Sequence, residues 1–481
     1  MSEATESTTK PEEKKKEPKV LVEEPAVIRQ GEVAGIRYTV ETGRLPIKNE
    51  KEEIEALVFY HYYKREGAGE SRPLMFSFNG GPGSPSLWLH LGALGPYRAQ
   101  MTPEGDMPPP PFKLVPNPET WLEFADLVLI DPVGTGFSRA KDEETAKKFW
   151  GVKGDIEGNA EFIRLFLTRK CRFASPLYLA GESYGTTRAA GISGHLIERG
   201  IAFNGIVLVS SIINFQTADF TKGNDLPYTL YLPTYTATAH YHGQITGDLQ
   251  DRINEAREFA LEDYTLALAQ GDNLTDERRA DIRKRLSGLT GLSEEYLDLC
   301  DLRPHIWKFC KELLRKERRS VGRLDSRFKG IDDMSQGVNE GPEHDPSMSL
   351  LMGPYASLYC QYAREQCGFE TDLEYHIFRG IKKPWDWGSA RDGFPDTSDA
   401  LRKAMSRNPH MGVFVASGYY DLATPFFATE YTVSHMGLDP SLKKNIEIRE
   451  YEAGHMMYIH EGSLSKLATE VREFVARTRG S

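Results

Sequence analysis

Cysteine is scarce in this chain of 481 residues: there are five, Cys171, Cys300, Cys310, Cys360 and Cys367. The count is odd, the spacings are wide and no C-x-x-C occurs, which excludes a zinc ribbon and a full disulfide framework. A single pair, such as Cys360 with Cys367, stays open. Long apolar runs are also missing, and none approaches the roughly 20 residues a membrane span needs. The opening stretch MSEATESTTKPEEKKKEPK has no apolar core, so it does not read as a secretory signal. These absences lead to the expectation of a soluble, cytoplasmic protein with reduced thiols. Positive charge is in deficit. Lys and Arg number 59 against 70 Asp and Glu, for a net charge of −11. That balance argues against a nucleic-acid or anionic-membrane partner. One basic stretch, 311–330, interleaves its charges with Leu and Phe and reads as a solvated helix face. The phosphate-loop, dinucleotide and H-E-x-x-H signatures are absent, so neither a cofactor nor a metal is expected.

What is present begins with PLYLAGESYGTTRAA at 176–190. An apolar run, Leu177–Ala180, stops at Gly181, and a helix-compatible segment follows Gly185. This is the G-x-S-x-G pattern of a nucleophile elbow, with Ser183 on a tight strand-to-helix corner. The alternative is a plain tight turn.

A serine hydroxyl needs a base, an acid to orient that base, and donors for a developing oxyanion. In chain order the acid and then the base should follow the nucleophile. Asp421 lies three residues after Gly418, just past the apolar run Val413–Ala416, where a strand opens into a loop. An ordinary turn aspartate is the competing reading. His455 follows Gly454 after the last strand-like segment, Ile446–Ile448. His455 and His460 as a metal pair is a weaker reading, because they are five apart with no glutamate placed between them on a helical face. His460 reads as a structural or surface histidine.

One oxyanion donor should be the N–H after the nucleophile, that of Tyr184. A second should come from an early strand-to-helix loop. The segment LMFSFNGGPGSP at 74–85 fits: an aromatic strand runs into Asn79, Gly80, Gly81, Pro82 and Gly83. These glycines let backbone N–H groups approach a substrate oxygen.

The chain resembles the serine carboxypeptidases along most of its core. The resemblance is carried by NGGPG at 79–83, LGP at 94–96, NPETW at 117–121 and DPVGTGFS at 131–138, then by GESYG at 181–185, GYYD at 418–421 and AGHM at 453–456. It implies an α/β-hydrolase fold, a triad of Ser183, Asp421 and His455, and oxyanion donors on Gly81 and Tyr184. It also implies that Asn79 and Glu182, beside Gly80, bind the terminal carboxylate of a peptide substrate. Three positions depart from the pattern: Ser84 and Thr424 stand where the family usually has cysteines, and Ala93 stands where a second glutamate pairs with Glu182's counterpart. In this the chain resembles a divergent, bacterial-type subgroup.

With Ala93 in place, Glu182 has lost its proton-sharing partner. Arg188 and Arg98 are the two candidate bidentate partners for a substrate carboxylate. A structural salt bridge is the alternative for each. The functional readings are a carboxypeptidase, an esterase or amidase with the same triad, and a non-catalytic binding protein. Oligomeric state is left open.

The expected organisation is a mostly parallel sheet flanked by helices, with a helical cap inserted between nucleophile and acid. Residues 1–24 read as a charged disordered tail. Residues 25–225 read as the first part of the core, 226–375 as the cap and 376–481 as the rest of the core. Segments around 33–40 and 56–63 read as antiparallel strands. Within the cap, Ile253, Ala256, Ala260 and Tyr264 repeat at helical spacing, Thr275 and Ser293 read as N-caps, and 329–348 reads as a turn-rich, mobile loop.

Overall fold

Several apolar segments of this chain show no polar alternation, the mark of strands buried on both faces. The computed structural model describes residues 20–69, 71–332, 341–381, 383–389, 391 and 393–480. It assembles these segments into a ten-stranded sheet. Nine strands form its path: β1 (Val27–Val33), β2 (Ile36–Lys48), β3 (Ile54–Arg65), β4 (Leu74–Phe78), β5 (Asp126–Ile130), β6 (Leu177–Ser183), β7 (Gly205–Ser211), β8 (Gly412–Gly418) and β9 (Ile446–Tyr451). Their spatial order is β1-β2-β3-β5-β4-β6-β7-β8-β9, and the short strand Arg139–Ala140 pairs with β3. The pairs β1–β2, β2–β3 and β3–β5 are antiparallel. From β5 to β9 every pairing is parallel. This is an α/β-hydrolase-type sheet.

Successive strand residues point to opposite faces, and two apolar layers result. Phe76, Leu179, Leu208 and Val415 pack with the helices Val152–Lys170, Tyr184–Ile197 and Ser398–Arg407. Met75, Tyr178, Val207 and Phe414 pack on the other side with Glu461–Thr478 and Pro346–Glu365.

A third apolar cluster belongs to the insertion. The helices Leu226–Tyr241, Leu249–Phe259, Asp276–Thr290 and Ile306–Glu312 share it. Ile253, Ala256, Ala260 and Tyr264 are all fully buried within it. Tyr235 stacks on Phe309 with ring centroids 4.0 Å apart. Thr275 and Ser293 cap their helices, accepting from the N–H groups of Arg278 and Tyr296. The cluster also contains Leu422 and Phe426, which flank Asp421, so the insertion packs onto an active-site loop. Pro346–Glu365 lies inside the 226–375 segment but packs with the sheet.

The basic stretch 311–330 departs from expectation. It is not a solvated helix face. The helix ends at Glu312, Arg319–Val321 pairs with Lys329–Ile331, and the residues between them enter the interior. Lys311, Asp325 and Arg327 are buried. Their charges are offset in pairs, Arg327 with Asp325 at 2.7 Å and Lys311 facing Asp332 at 3.6 Å. That pairing lets Lys311 and Arg327 be buried, while Lys316, Arg318 and Lys329 are exposed.

Residues 1–19 of the expected tail, and 333–340 of the expected loop, lie outside the described residues. Glu23 and Glu24 pair with Arg169 and Arg44. All five cysteines are free thiols, Cys360 and Cys367 included. Among the described residues no helix is long and apolar enough to cross a membrane.

One buried ion pair ties the nucleophile helix to its neighbour. Arg188, 1 % exposed, donates to both carboxylate oxygens of Asp155 at 2.7 and 3.1 Å and to the carbonyl of Asn79 at 2.6 Å. Arg188→Ala leaves Asp155 buried without its cation. We expect a loss of about 3–5 kcal/mol in unfolding free energy, measurable by urea denaturation; a loss below 1 kcal/mol would contradict the pairing.

Candidate active site

The elbow is a consequence of close backbone packing. A Cβ on Gly181 would lie 2.2 Å from the carbonyl oxygen of Gly185, and one on Gly185 would lie 2.8 Å from that of Phe78. Only glycine fits at both, so β6 can turn abruptly into the helix Tyr184–Ile197. Ser183 sits on the corner at φ 59°, ψ −130°. A side-chain-bearing residue adopts that geometry only where the surroundings enforce it, which is characteristic of functional sites.

Because β4 and β6 are neighbours, the loops that leave their C-terminal ends lie side by side. Gly80 is pressed against the start of the nucleophile helix: a Cβ there would be 2.4 Å from the Tyr184 nitrogen. No hydrogen bond from the N–H of Gly81 or Tyr184 to another group is found among the described residues. Both remain available to an oxyanion. The NPETW segment holds the turn at 93–95. Asn117 Nδ2 donates to the carbonyls of Ala93 and Gly95, and Thr120 Oγ1 donates to that of Leu94.

Asp421 follows β8 and is fully buried. Its Oδ1 accepts from the N–H groups of Ala423 and Thr424 at 2.8 and 3.0 Å. Its Oδ2 accepts from the Thr424 hydroxyl at 2.7 Å and from His455 Nδ1 at 2.7 Å. Thr424 therefore does for the acid what no cysteine would do as well: it donates a strong hydrogen bond. His455 follows β9. With Nδ1 committed to Asp421, Nε2 is left for the Ser183 hydroxyl. Ser183 and His455 line one cavity of about 320 Å³.

The base is also held from outside the sheet. Its backbone N–H donates to Leu324 O at 2.6 Å, and its carbonyl accepts from Ser210 Oγ at 2.6 Å. Residues 322–328 form a strap across both catalytic loops. Leu422 N–H donates to Arg323 O, Ser326 N–H to Tyr420 O, and Gly454 N–H to Asp325 Oδ2. Nothing in the sequence pattern of 311–330 marked this role.

Glu182 lies in the same cavity and is buried. Asn79 Nδ2 donates to its Oε1 at 2.9 Å and the Tyr458 hydroxyl to its Oε2 at 2.6 Å. Tyr458 was not singled out from sequence, although it lies only three residues past the base. Gly92, beside Ala93, makes room for it: a Cβ on Gly92 would lie 2.2 Å from the Tyr458 ring. A phenol thus partners Glu182. Burial pushes the Glu182 carboxyl up to about 7, against the opposing effect of His455. For His455 itself burial pulls downward, but the Asp421 carboxylate outweighs it and the imidazole ends above its ordinary value.

The two arginine candidates do not reach the substrate. Arg188 is spent on Asp155, as described. Arg98 pairs with Glu461 at 2.9 Å. Neither lines the cavity. His460 caps the final helix, its Nδ1 near Ser463 N and Oγ. Among the described residues no cluster of His, Cys, Asp and Glu is arranged to hold a metal.

A family model described as serine carboxypeptidase matches residues 36–339. The chain belongs to the serine carboxypeptidase family. The matched span carries the oxyanion loop and Ser183 but ends before Asp421 and His455. Among curated relatives, the serine carboxypeptidase-like 5 protein of Arabidopsis thaliana is 32% identical over 150 residues, 31% of this chain and 32% of its own. Serine carboxypeptidase S10 family member 1 of Dictyostelium discoideum is 26% identical over 200 residues, 41% of this chain and 43% of its own. The chain thus matches a third to less than half of these relatives' length. In structure it is similar to Kex1(Δ)p, a prohormone-processing carboxypeptidase from Saccharomyces cerevisiae. The TM-score is 0.56 at 14% identity, over 91% of each chain. At that identity the likeness shows the fold.

Two titrations meet in this family member's cavity. The base must be neutral to accept a proton, so turnover should rise with pH through the His455 titration, which lies above its ordinary value. Thr424→Val removes a donor from Asp421, leaves the carboxylate freer to pair with the imidazolium, and should move that rising limb to higher pH with a lower plateau. A pH–kcat/KM profile superimposable on wild type would show that the hydroxyl plays no part.

Proposed function

We propose that the protein is a serine carboxypeptidase that releases the C-terminal residue of peptides through an acyl-enzyme. The observation that carries this reading is the junction, in one cavity, of the strained Ser183, the hydrogen-bonded pair His455–Asp421 and the buried Glu182–Asn79 pair. His455 Nε2 takes the proton of Ser183 Oγ as the oxygen attacks the scissile carbonyl. The N–H groups of Gly81 and Tyr184 receive the oxyanion, and the short Nδ1 contact to Asp421 stabilises the imidazolium. That imidazolium then protonates the leaving amine. Water, deprotonated by the same imidazole, releases the acyl group.

Glu182 and Asn79 face the leaving group in this scheme. Near neutrality Glu182 is part-protonated and can donate to a terminal carboxylate. As pH rises through about 7 it becomes an anion, and the affinity for free-acid peptides should fall while that for esters and amides does not. A second reading, an esterase or amidase, is favoured by Ala93, because the carboxyl pair that would demand a terminal carboxylate is replaced by Glu182 and Tyr458. The five free thiols support a further part of the proposal, that the enzyme works in a reducing compartment such as the cytoplasm.

The test is a peptide library with free and amidated C-termini, digested and read by mass spectrometry. Single-residue loss from free termini is expected from wild type. Ser183→Ala should retain the fold, fail to react with a fluorophosphonate and lose turnover by several orders of magnitude. Wild-type turnover in Ser183→Ala, or label on another residue, would sink the mechanism.

A further inference from the structure

Arg323 is the one Arg or Lys among the described residues that line the catalytic cavity. It is half-buried, and among the described residues no carboxylate lies within ion-pair distance of its guanidinium. Its backbone is fully employed: the N–H donates to Asp345 Oδ1 at 3.1 Å and the carbonyl accepts from Leu422 N–H at 3.0 Å. The guanidinium lies over the Trp307 ring, with Cζ 5.4 Å from the ring centroid. That contact restrains the guanidinium plane without using its hydrogen-bond donors. Asp345 Oδ1 accepts from the N–H groups of Arg323 and Ser347 and from the Ser347 hydroxyl.

Its position selects a side of the cavity. Arg323 precedes Leu324, whose carbonyl holds the backbone of His455. The imidazolium must deliver its proton to the leaving amine, so the leaving residue lies on the His455 side of Ser183. The strap therefore brings Arg323 toward the leaving residue. A planar guanidinium matches a carboxylate with two parallel hydrogen bonds, and a site partly shielded from water strengthens them. A cation here also offsets the repulsion that an ionised Glu182 exerts on an incoming anion.

We propose that Arg323 is the receptor for a carboxylate of the leaving amino acid, in place of the Glu182 partner that Ala93 removes. The inference rests on the carboxypeptidase reading for the identity of the leaving group. The same chemistry has two sources: the terminal carboxylate, or the side chain of a C-terminal Asp or Glu.

The probes are N-acetyl-Phe-Leu, its amide, and N-acetyl-Phe-Glu amide. Binding is measured by calorimetry on Ser183→Ala protein, which does not need turnover, and kcat/KM is measured on the Ser183 enzyme. With Arg323 present, a carboxylate-bearing probe should bind more tightly than N-acetyl-Phe-Leu amide. Arg323→Gln should reduce that preference by about tenfold or more, the size of a hydrogen bond to a charged group. Arg323→Lys should recover part of it. Loss of preference for N-acetyl-Phe-Leu assigns the terminal carboxylate, and loss for N-acetyl-Phe-Glu amide assigns the acidic side chain. If all three probes bind alike, or the preference survives in folded Arg323→Gln protein, the proposal is overturned. If the preference is present and Arg323-dependent but wild type cleaves none of the probes, the carboxypeptidase reading fails and the carboxylate receptor stands.

Discussion

The contact of Gly181 with Gly185, each too close to backbone for a side chain, is the constraint from which the site is built. It allows β6 to end in a corner and holds Ser183 in backbone geometry that a residue with a side chain seldom adopts. With β4 paired to β6 in parallel, the glycine loop that follows β4 comes to rest against the first turn of the nucleophile helix. Oxyanion donors and nucleophile are thus set by one steric fit, and the sheet need only supply an acid and a base from its other strand ends.

It does so with help from the insertion. Asp421 and His455 leave β8 and β9, and their side chains meet at 2.7 Å. Their loops are stitched to each other through residues 322–328, which lie on the far side of the chain's longest detour. The strap delivers a carbonyl to His455, a carboxylate to Gly454 and another carbonyl to Leu422. The insertion thus does more than line the cavity with Arg323, Leu324 and Met348. Its apolar cluster contains Leu422 and Phe426, so cap packing and triad geometry are mechanically joined. A cap that shifted would move the base.

The departures from the family pattern acquire a physical meaning in this frame. Thr424 offers the acid a hydroxyl. Ala93 leaves Glu182 without a glutamate, and Tyr458 takes up the free oxygen across the space that Gly92 keeps open. Burial makes the Glu182 carboxyl hold its proton more tightly than one in water, although the hydrogen bonds from Tyr458 and Asn79 favour its charged form.

The corner at Ser183, the glycine loop beside it and the strand-end positions of Asp421 and His455 were legible in the sequence because each is a local signature: an apolar run, a glycine where backbones touch, a polar residue one to three positions later. The antiparallel start and parallel remainder of the sheet were legible for the same reason, through strand composition and spacing. For Arg98 and Arg188 the structural salt bridge is the reading the structure shows, since charge type and sequence proximity do not say which way a side chain faces. Arg188, five residues from the nucleophile, turns inward to Asp155. The stretch 311–330 reads as a solvated face from its charges, but the pairing of Lys311 with Asp332 forms only once the chain folds back on itself. What the sequence alone determined is therefore where the candidate residues sit at the strand ends, through short-range steric rules that every copy of the motif must obey. What the tertiary structure decided is which distant side chains the chemistry meets: Tyr458 on Glu182, the strap on His455, and Arg323 in the cavity. Those contacts span tens to hundreds of residues, and no local pattern encodes them.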